Sequence, residues 1–234
     1  MLFQDRKDAG RRLGAALQSV ERPAYVLGIP RGGVVVAAEV ADLLAAPLDV
    51  IVPRKLRAPE NPELAIGAVA HDGTIYMDPG LEGSFGADAT YLHEEVRRQQ
   101  EEIVRRMMLY RGTQDYPDLT GHTACVVDDG IATGSTMIAA IRAVRRMNCA
   151  RIVAAVPVAP SDGVQRLREE ADEVVCLHMP IVFYAVGQFY EDFAQTTDEE
   201  VVALLHRGRR GSGPGASGSF ARDVDGTVGL VGLP

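Results

Sequence analysis

An open, mainly parallel, twisted α/β sheet with helices on both faces is the fold class predicted for this 234-residue chain. Three observations predict it. A strand–glycine turn–helix unit occurs twice, over residues 24–45 and 123–147. Strand-like and helix-like segments alternate along most of the chain. Hydrophobic residues make up 47% of the sequence, enough for one α/β domain with a full core.

The elements follow in order. Residues 5–17 predict a helix: Ala9, Leu13, Ala16 and Leu17 recur at helical spacing, and Asp5 is a candidate cap. Residues 24–29 predict a first buried strand. It ends at Pro30-Arg31-Gly32-Gly33 and runs into a helix over 34–45. Residues 48–52 are a second parallel-type strand, followed by a basic turn at its carboxyl end, Pro53-Arg54-Lys55-Leu56-Arg57-Ala58-Pro59. Segments 64–69 and 73–77 flank His71-Asp72-Gly73, and an Asp-Gly pair between apolar runs predicts a β-hairpin. Residues 87–110 predict a long helix. Leu92, Val96, Ile103 and Met107 line one side, and Glu94, Glu95, Arg97 and Arg98 lie on a solvated face.

The apolar, β-branched run 123–127 predicts a buried strand, and 137–147 a helix. Residues 151–156 form another buried strand. A helix over 161–171 has Ser161 as candidate cap, and 173–177 is a short strand. Residues 180–193 are the most aromatic part of the chain, and 198–206 predict a last helix. After Arg207 the composition turns Gly/Ser-rich with Arg punctuation. Residues 1–207 therefore predict one domain and 208–234 a flexible tail or linker.

Composition narrows the function. The net charge of −8 argues against nonspecific nucleic-acid binding. No apolar run reaches membrane-spanning length, and the first residues lack the apolar core of a signal peptide. The three cysteines, Cys125, Cys149 and Cys176, form no CxxC pair; Cys125 and Cys176 sit in apolar runs and read as buried small hydrophobes. A cytoplasmic protein with no nucleic-acid or membrane partner is expected.

The chemistry concentrates in residues 123–137. Asp128 and Asp129 stand at the carboxyl end of a strand, where open α/β sheets bind ligands. Gly130, Ile131, Ala132, Thr133, Gly134, Ser135 and Thr136 then turn into a helix. Glycines let backbone N–H groups approach an anion, and the helix start adds unpaired donors and a positive dipole end. Thr133, Ser135 and Thr136 offer hydroxyls. Two carboxylates beside an anion site make sense if the ligand also carries a diol, because ionised carboxylates only accept hydrogen bonds. A diol and a phosphate on one loop describe a ribose 5-phosphate.

This stretch resembles the phosphoribosyl-diphosphate (PRPP) signature of type I phosphoribosyltransferases. Pro30-Arg31-Gly32-Gly33 is similar to the family's pyrophosphate loop. The resemblance covers residues 1–207 and implies transfer of a 5-phosphoribosyl group from PRPP to an acceptor nitrogen, with release of pyrophosphate. It implies that Asp128 and Asp129 accept from the ribose hydroxyls. The 130–136 loop would hold the 5-phosphate, and Arg31 with Gly32 and Gly33 the pyrophosphate. Lys55, with Arg54 or Arg57, would neutralise the leaving group. It implies a hairpin and flexible loop that cover the substrate, and a small C-terminal hood in which Phe183 or Tyr184 stacks on the acceptor base. It also implies Mg²⁺ held mainly by the ligand, with no dedicated protein metal cage. A homodimer is left open. So is the acceptor: residues 156–160 lack the Lys of oxopurine enzymes, and Phe189 falls where their hood carries an Asp.

Two other readings compete. One is a PRPP- or nucleotide-sensing regulator without chemistry. Arg31 and Lys55 speak against it, since a sensor has no departing pyrophosphate to neutralise. The other is a dinucleotide oxidoreductase, which lacks its GxGxxG fingerprint here.

Overall fold

The computed structural model describes residues 1–79, 81 and 86–211. Five parallel strands form its main sheet: β1 (Ala24–Gly28), β2 (Leu48–Val50), β6 (Thr123–Val127), β7 (Arg151–Val158) and β8 (Glu173–His178). Their order across the sheet is β2-β1-β6-β7-β8, so the chain reverses its direction of progress between β1 and β6. In this topology the crevice for a ligand opens at the carboxyl ends of those two strands. The register sets Gly28 beside Val127, and the Ile29 amide donates to Val127 O at 2.8 Å, so the two strands end level.

Alternation along the strands divides the core. Val26, Val50, Cys125, Val127 and Val153 face α1 (Arg6–Ala16), α2 (Gly32–Leu44), α3 (Ala89–Arg111) and α6 (Asp198–Gly211). Leu27, Ile51, Val126, Ile152 and Ala154 face α4 (Ser135–Arg145) and α5 (Ser161–Arg168). The fold is thus helix-covered on both faces, as the sequence predicts. Edge strand β2 is fully buried, with α6 packed against it, which removes an open edge. A bidentate ion pair, Arg111 Nε and Nη2 to Asp49 Oδ1 and Oδ2 at 2.8 and 3.0 Å, ties the end of α3 to β2. Asp5 caps α1, its Oδ1 accepting from the Asp8 amide at 2.7 Å.

A second, antiparallel sheet holds β3 (Arg54–Arg57), β4 (Ala65–Val69) and β5 (Ile75–Met77). The expected hairpin is β4–β5. The expected basic turn before it is instead a third strand, because Leu56 alternates inward between Lys55 and Arg57 and pairs with Gly67. Leu56, Ile66 and Val69 pack toward the α3 side, and Ala68 and Tyr76 toward α4, so the hairpin body belongs to the core.

Four further details differ from expectation. Glu95 is only 2% exposed, so the charge run on α3 is not wholly solvated. Ser161 is the first residue of α5, with Pro160 in the cap position. α2 begins at Gly32 and α4 at Ser135, so both glycine turns run directly into helix. α6 continues to Gly211, past the composition change at Arg207. The tail from residue 212 lies outside the described residues.

Candidate active site

A cavity of about 340 Å³ opens where the topology places it. Three walls meet there. The first is the end of β1 and the start of α2: Ile29, Pro30, Arg31 and Gly32. The second is β3 and its approach: Pro53, Arg54, Lys55 and Arg57. The third runs from β6 into α4: Asp128, Asp129, Gly130, Ile131, Ala132, Thr133, Gly134 and Thr136. Gly33, Ser135, Phe183 and Tyr184 do not line it.

Both helix starts that reach the cavity are uncapped. Neither Arg31 before α2 nor Gly134 before α4 makes a side-chain cap bond, and Gly134 sits at φ +84°, a conformation glycine adopts without strain. Among the described residues the amides of Ala132 through Thr136 have no protein acceptor. Unpaired amides at a helix start, with its positive dipole end, form an anion site.

The hydroxyls behave differently. Ser135 is buried and donates to Asp78 Oδ2 at 2.7 Å. Its single proton is therefore spent, and the 2.8 Å contact with Thr133 must carry the Thr133 proton toward Ser135. Of the three expected hydroxyl donors, Ser135 is turned inward to Asp78, while Thr133 and Thr136 line the cavity. Asp78, at the end of the hairpin, was not legible as a site residue, because its partner lies 57 positions away.

The basic wall is held from α3. Glu95 Oε1 accepts from the Arg57 amide at 3.2 Å and from Gln99 Nε2 at 3.0 Å. Gln99 Oε1 in turn accepts from Arg54 Nε at 3.0 Å. Lys55 is exposed and has no ion pair among the described residues. Arg31 Nη1 lies 3.9 Å from Asp198 Oδ1, which also accepts the Tyr110 hydroxyl at 2.5 Å.

The acid pair is asymmetric. Asp128 Oδ1 accepts the Asp129 amide at 2.9 Å. Asp129 Oδ2 is held by Arg6 Nε at 2.7 Å, and its backbone carbonyl accepts the Tyr190 hydroxyl at 2.5 Å. Burial raises the pKa of Asp128 well above the usual carboxylate value, and the neighbouring Asp129 charge adds to this. Burial also raises Asp129, with Arg6 opposing it. Gly32 and Gly33 allow the wall to close: a Cβ on Gly32 would collide with the Asp129–Arg6 pair, and one on Gly33 would meet Asp128 Cα at 2.8 Å.

The aromatic segment sits apart from the cavity. Phe183 stacks on Phe189 with centroids 5.6 Å apart, and Tyr184 is 87% exposed. Val186, at the start of a short 3₁₀ turn (Val186–Phe189), reaches the cavity instead. The expectation of a ring at Phe183 or Tyr184 facing the site is therefore not met here, because Phe183 is engaged by Phe189.

A topology reversing at β1/β6, two uncapped helix starts and an acid pair between them define the class: an open α/β domain with its candidate site at the carboxyl ends of β1 and β6. The phosphoribosyl transferase domain model matches residues 6–194, and the chain belongs to that family. It is 48% identical over 210 residues to two Mycobacterium tuberculosis proteins, from strains CDC 1551 / Oshkosh and ATCC 25618 / H37Rv, both named "Putative phosphoribosyl transferase". The match covers 89% of this chain and 47% of theirs, so the chain spans about half the length of these curated relatives. A crystal structure of TT1426 from Thermus thermophilus superimposes with a TM-score of 0.75 at 44% identity, covering 88% of this chain and 99% of that one.

Proposed function

We propose that this domain transfers the 5-phosphoribosyl group of PRPP to an acceptor nitrogen of a nucleobase or related heterocycle, releasing pyrophosphate. The observation that carries the reading is the pairing of Asp128-Asp129 with the free amides of Ala132–Thr136 across one cavity. The amides bind the 5-phosphate and the carboxylates accept from the ribose hydroxyls. Arg31 and the Gly32 amide meet the diphosphate at the cavity wall, and Lys55 and Arg54 approach it from β3. No protein nucleophile is required. Positive charge develops on the ribose as the C1–oxygen bond to pyrophosphate lengthens, and the acid pair lies beside it.

The donor set fits a Mg²⁺ ion carried by the ligand. Those donors are mainly the ligand's own diphosphate and ribose oxygens, in the cavity lined by Arg31, Lys55 and the Gly130–Gly134 loop. Such an ion would neutralise diphosphate charge.

The direct test is calorimetric titration with PRPP and Mg²⁺ on the wild type and Asp129→Asn, together with pyrophosphate release across a panel of nucleobases. Loss of a charged hydrogen-bond acceptor weakens binding by about 1.5–3 kcal/mol, roughly tenfold to over a hundredfold. Equal affinity in the variant would remove Asp129 from the site, and binding without turnover on every base would favour a sensor.

A further inference from the structure

Arg6 is not among the residues that the sequence assigns to the site, yet it touches the acid pair directly. It is 123 positions from Asp129. Its Nε donates to Asp129 Oδ2 at 2.7 Å, and its Nη1 donates to Ala194 O at 2.7 Å. Its guanidinium carbon lies 3.8 Å from the centre of the Phe193 ring. One planar cation thus bridges the carboxylate and the closing segment after Phe189, using the fixed fork that distinguishes Arg from Lys. The side chains of Arg6 and Asp129 are only 12% and 15% exposed, so solvent screens the pair weakly.

The same segment fastens the start of α1. Phe3 N donates to Phe189 O at 2.9 Å, Glu191 N to Phe3 O at 2.8 Å, and Asp192 N to Gln4 O at 2.9 Å. Tyr190 holds the Asp129 carbonyl from the other side. The Asp129 carboxylate is therefore held by Arg6 from α1, and Arg6 in turn by Phe193 and Ala194. The neighbouring Asp128 carboxyl also hydrogen-bonds the Asp129 side chain.

We propose that Arg6 is a positioning residue for the acid pair: it fixes the orientation of the Asp129 carboxylate and opposes its protonation, and it makes that hold depend on the docking of residues 189–194. This rests on the phosphoribosyl reading for its purpose and on the Arg6–Asp129 geometry for its existence. The charged and titratable groups facing the pair are Arg6 from α1, Lys55 from β3, Tyr190 from the closing segment, and each aspartate toward the other. Arg6 is the cation in direct contact with Asp129. Without it, the two carboxylates repel in a buried site, and the pair takes up a proton at higher pH.

The test uses the full chain with Arg6→Gln and Arg6→Lys. Carbon-13 NMR titration of the aspartate carboxyls reads the pair without any ligand, and PRPP–Mg²⁺ titration from pH 5 to 8 reads its use. In Arg6→Gln the apparent carboxyl midpoint rises by about one pH unit or more. The acidic limb of PRPP affinity moves up with it, and Arg6→Lys restores most of both. A folded Arg6→Gln protein with wild-type carboxyl titration overturns the proposal. If Arg6→Gln does not fold, Arg6→Gln/Asp129→Asn removes both charges and is expected to fold. Failure of the double variant as well would show that Arg6 serves packing rather than Asp129, and would overturn the proposal too. A wild type that ignores PRPP at every pH would overturn the phosphoribosyl reading, while the carboxyl titration still decides the role of Arg6.

Discussion

A single methyl group at Gly33 probes whether the helix start and the acid pair form one packed wall. A Cβ there would lie 2.7 Å from Asp128 Oδ1, 2.8 Å from Asp128 Cα and 3.0 Å from Val127 O. Two of these three atoms are backbone, so no side-chain rotation relieves the contact. Ordinary carbon contacts sit near ~3.5–4.0 Å, so roughly 1 Å must come from movement at the end of β6 or the start of α2. Overpacking of this kind costs about 1–3 kcal/mol. Alanine returns up to about 1 kcal/mol of helix propensity over glycine. The net loss for Gly33→Ala is about 1–2 kcal/mol, a fall in Tm of roughly 2–8 °C for a domain of this size. The same movement displaces Asp128, so PRPP affinity drops by more than about tenfold, ~1.4 kcal/mol. Scanning calorimetry and PRPP–Mg²⁺ titration measure the two effects separately. A Gly33→Ala protein that melts at or above the wild-type temperature with unchanged affinity would refute the packed-wall argument.

Other outcomes follow from the same geometry. Asp128→Asn should raise Tm at pH 7 while abolishing PRPP binding. A carboxyl whose folded pKa lies above its unfolded value costs stability once the pH exceeds the unfolded pKa, and that cost vanishes below it. The gain should therefore shrink as the pH is lowered toward 4, and a lower Tm for the variant at pH 7 would contradict this. Asp49→Asn removes the carboxylate charge paired with the buried Arg111 guanidinium and should cost about 3–5 kcal/mol in urea unfolding, whereas replacing both partners with apolar residues should cost far less. Ser135→Ala leaves Asp78 Oδ2 without its donor, and a loss of about 1–3 kcal/mol is expected by thermal melting. Burial pushes the Cys125 thiol up to about 12, so iodoacetamide at pH 8 should modify Cys149 and Cys176 first and reach Cys125 only on unfolding.

The parallel sheet was legible because its strands are short apolar runs, two of them followed by glycine turns; β6 has its predicted bounds, and β1 ends one residue early, at Gly28. Asp5 was legible as a cap for the same local reason. Strand β3 was not: four residues with three charges, bounded by prolines, carry one inward side chain, and only pairing with β4 makes them a strand. Local sequence favoured solvent for Glu95, which is buried where it accepts from the Arg57 amide and from Gln99. Asp128, Asp129, Arg31 and Lys55 could be picked out because chemistry-bearing residues cluster at strand ends. Arg6 and Asp78 could not, since each reaches the site from a distant element and carries no local pattern. Gly33 and Ser135 lie behind the cavity wall, because the helices begin earlier than periodicity indicated.

The fastening of Phe3 to residues near 190 has a consequence for how the molecule is made. On the ribosome, residues 1–6 emerge long before their partners have been synthesised. Contacts this distant in sequence carry a large loop-closure cost and form late. Asp129 leaves the exit tunnel while the segment that will clamp its arginine is still untranslated. The candidate-site end of the sheet is therefore completed after its strands have been synthesised, and a nascent chain released short of residue 194 would lack the carbonyl that holds Arg6.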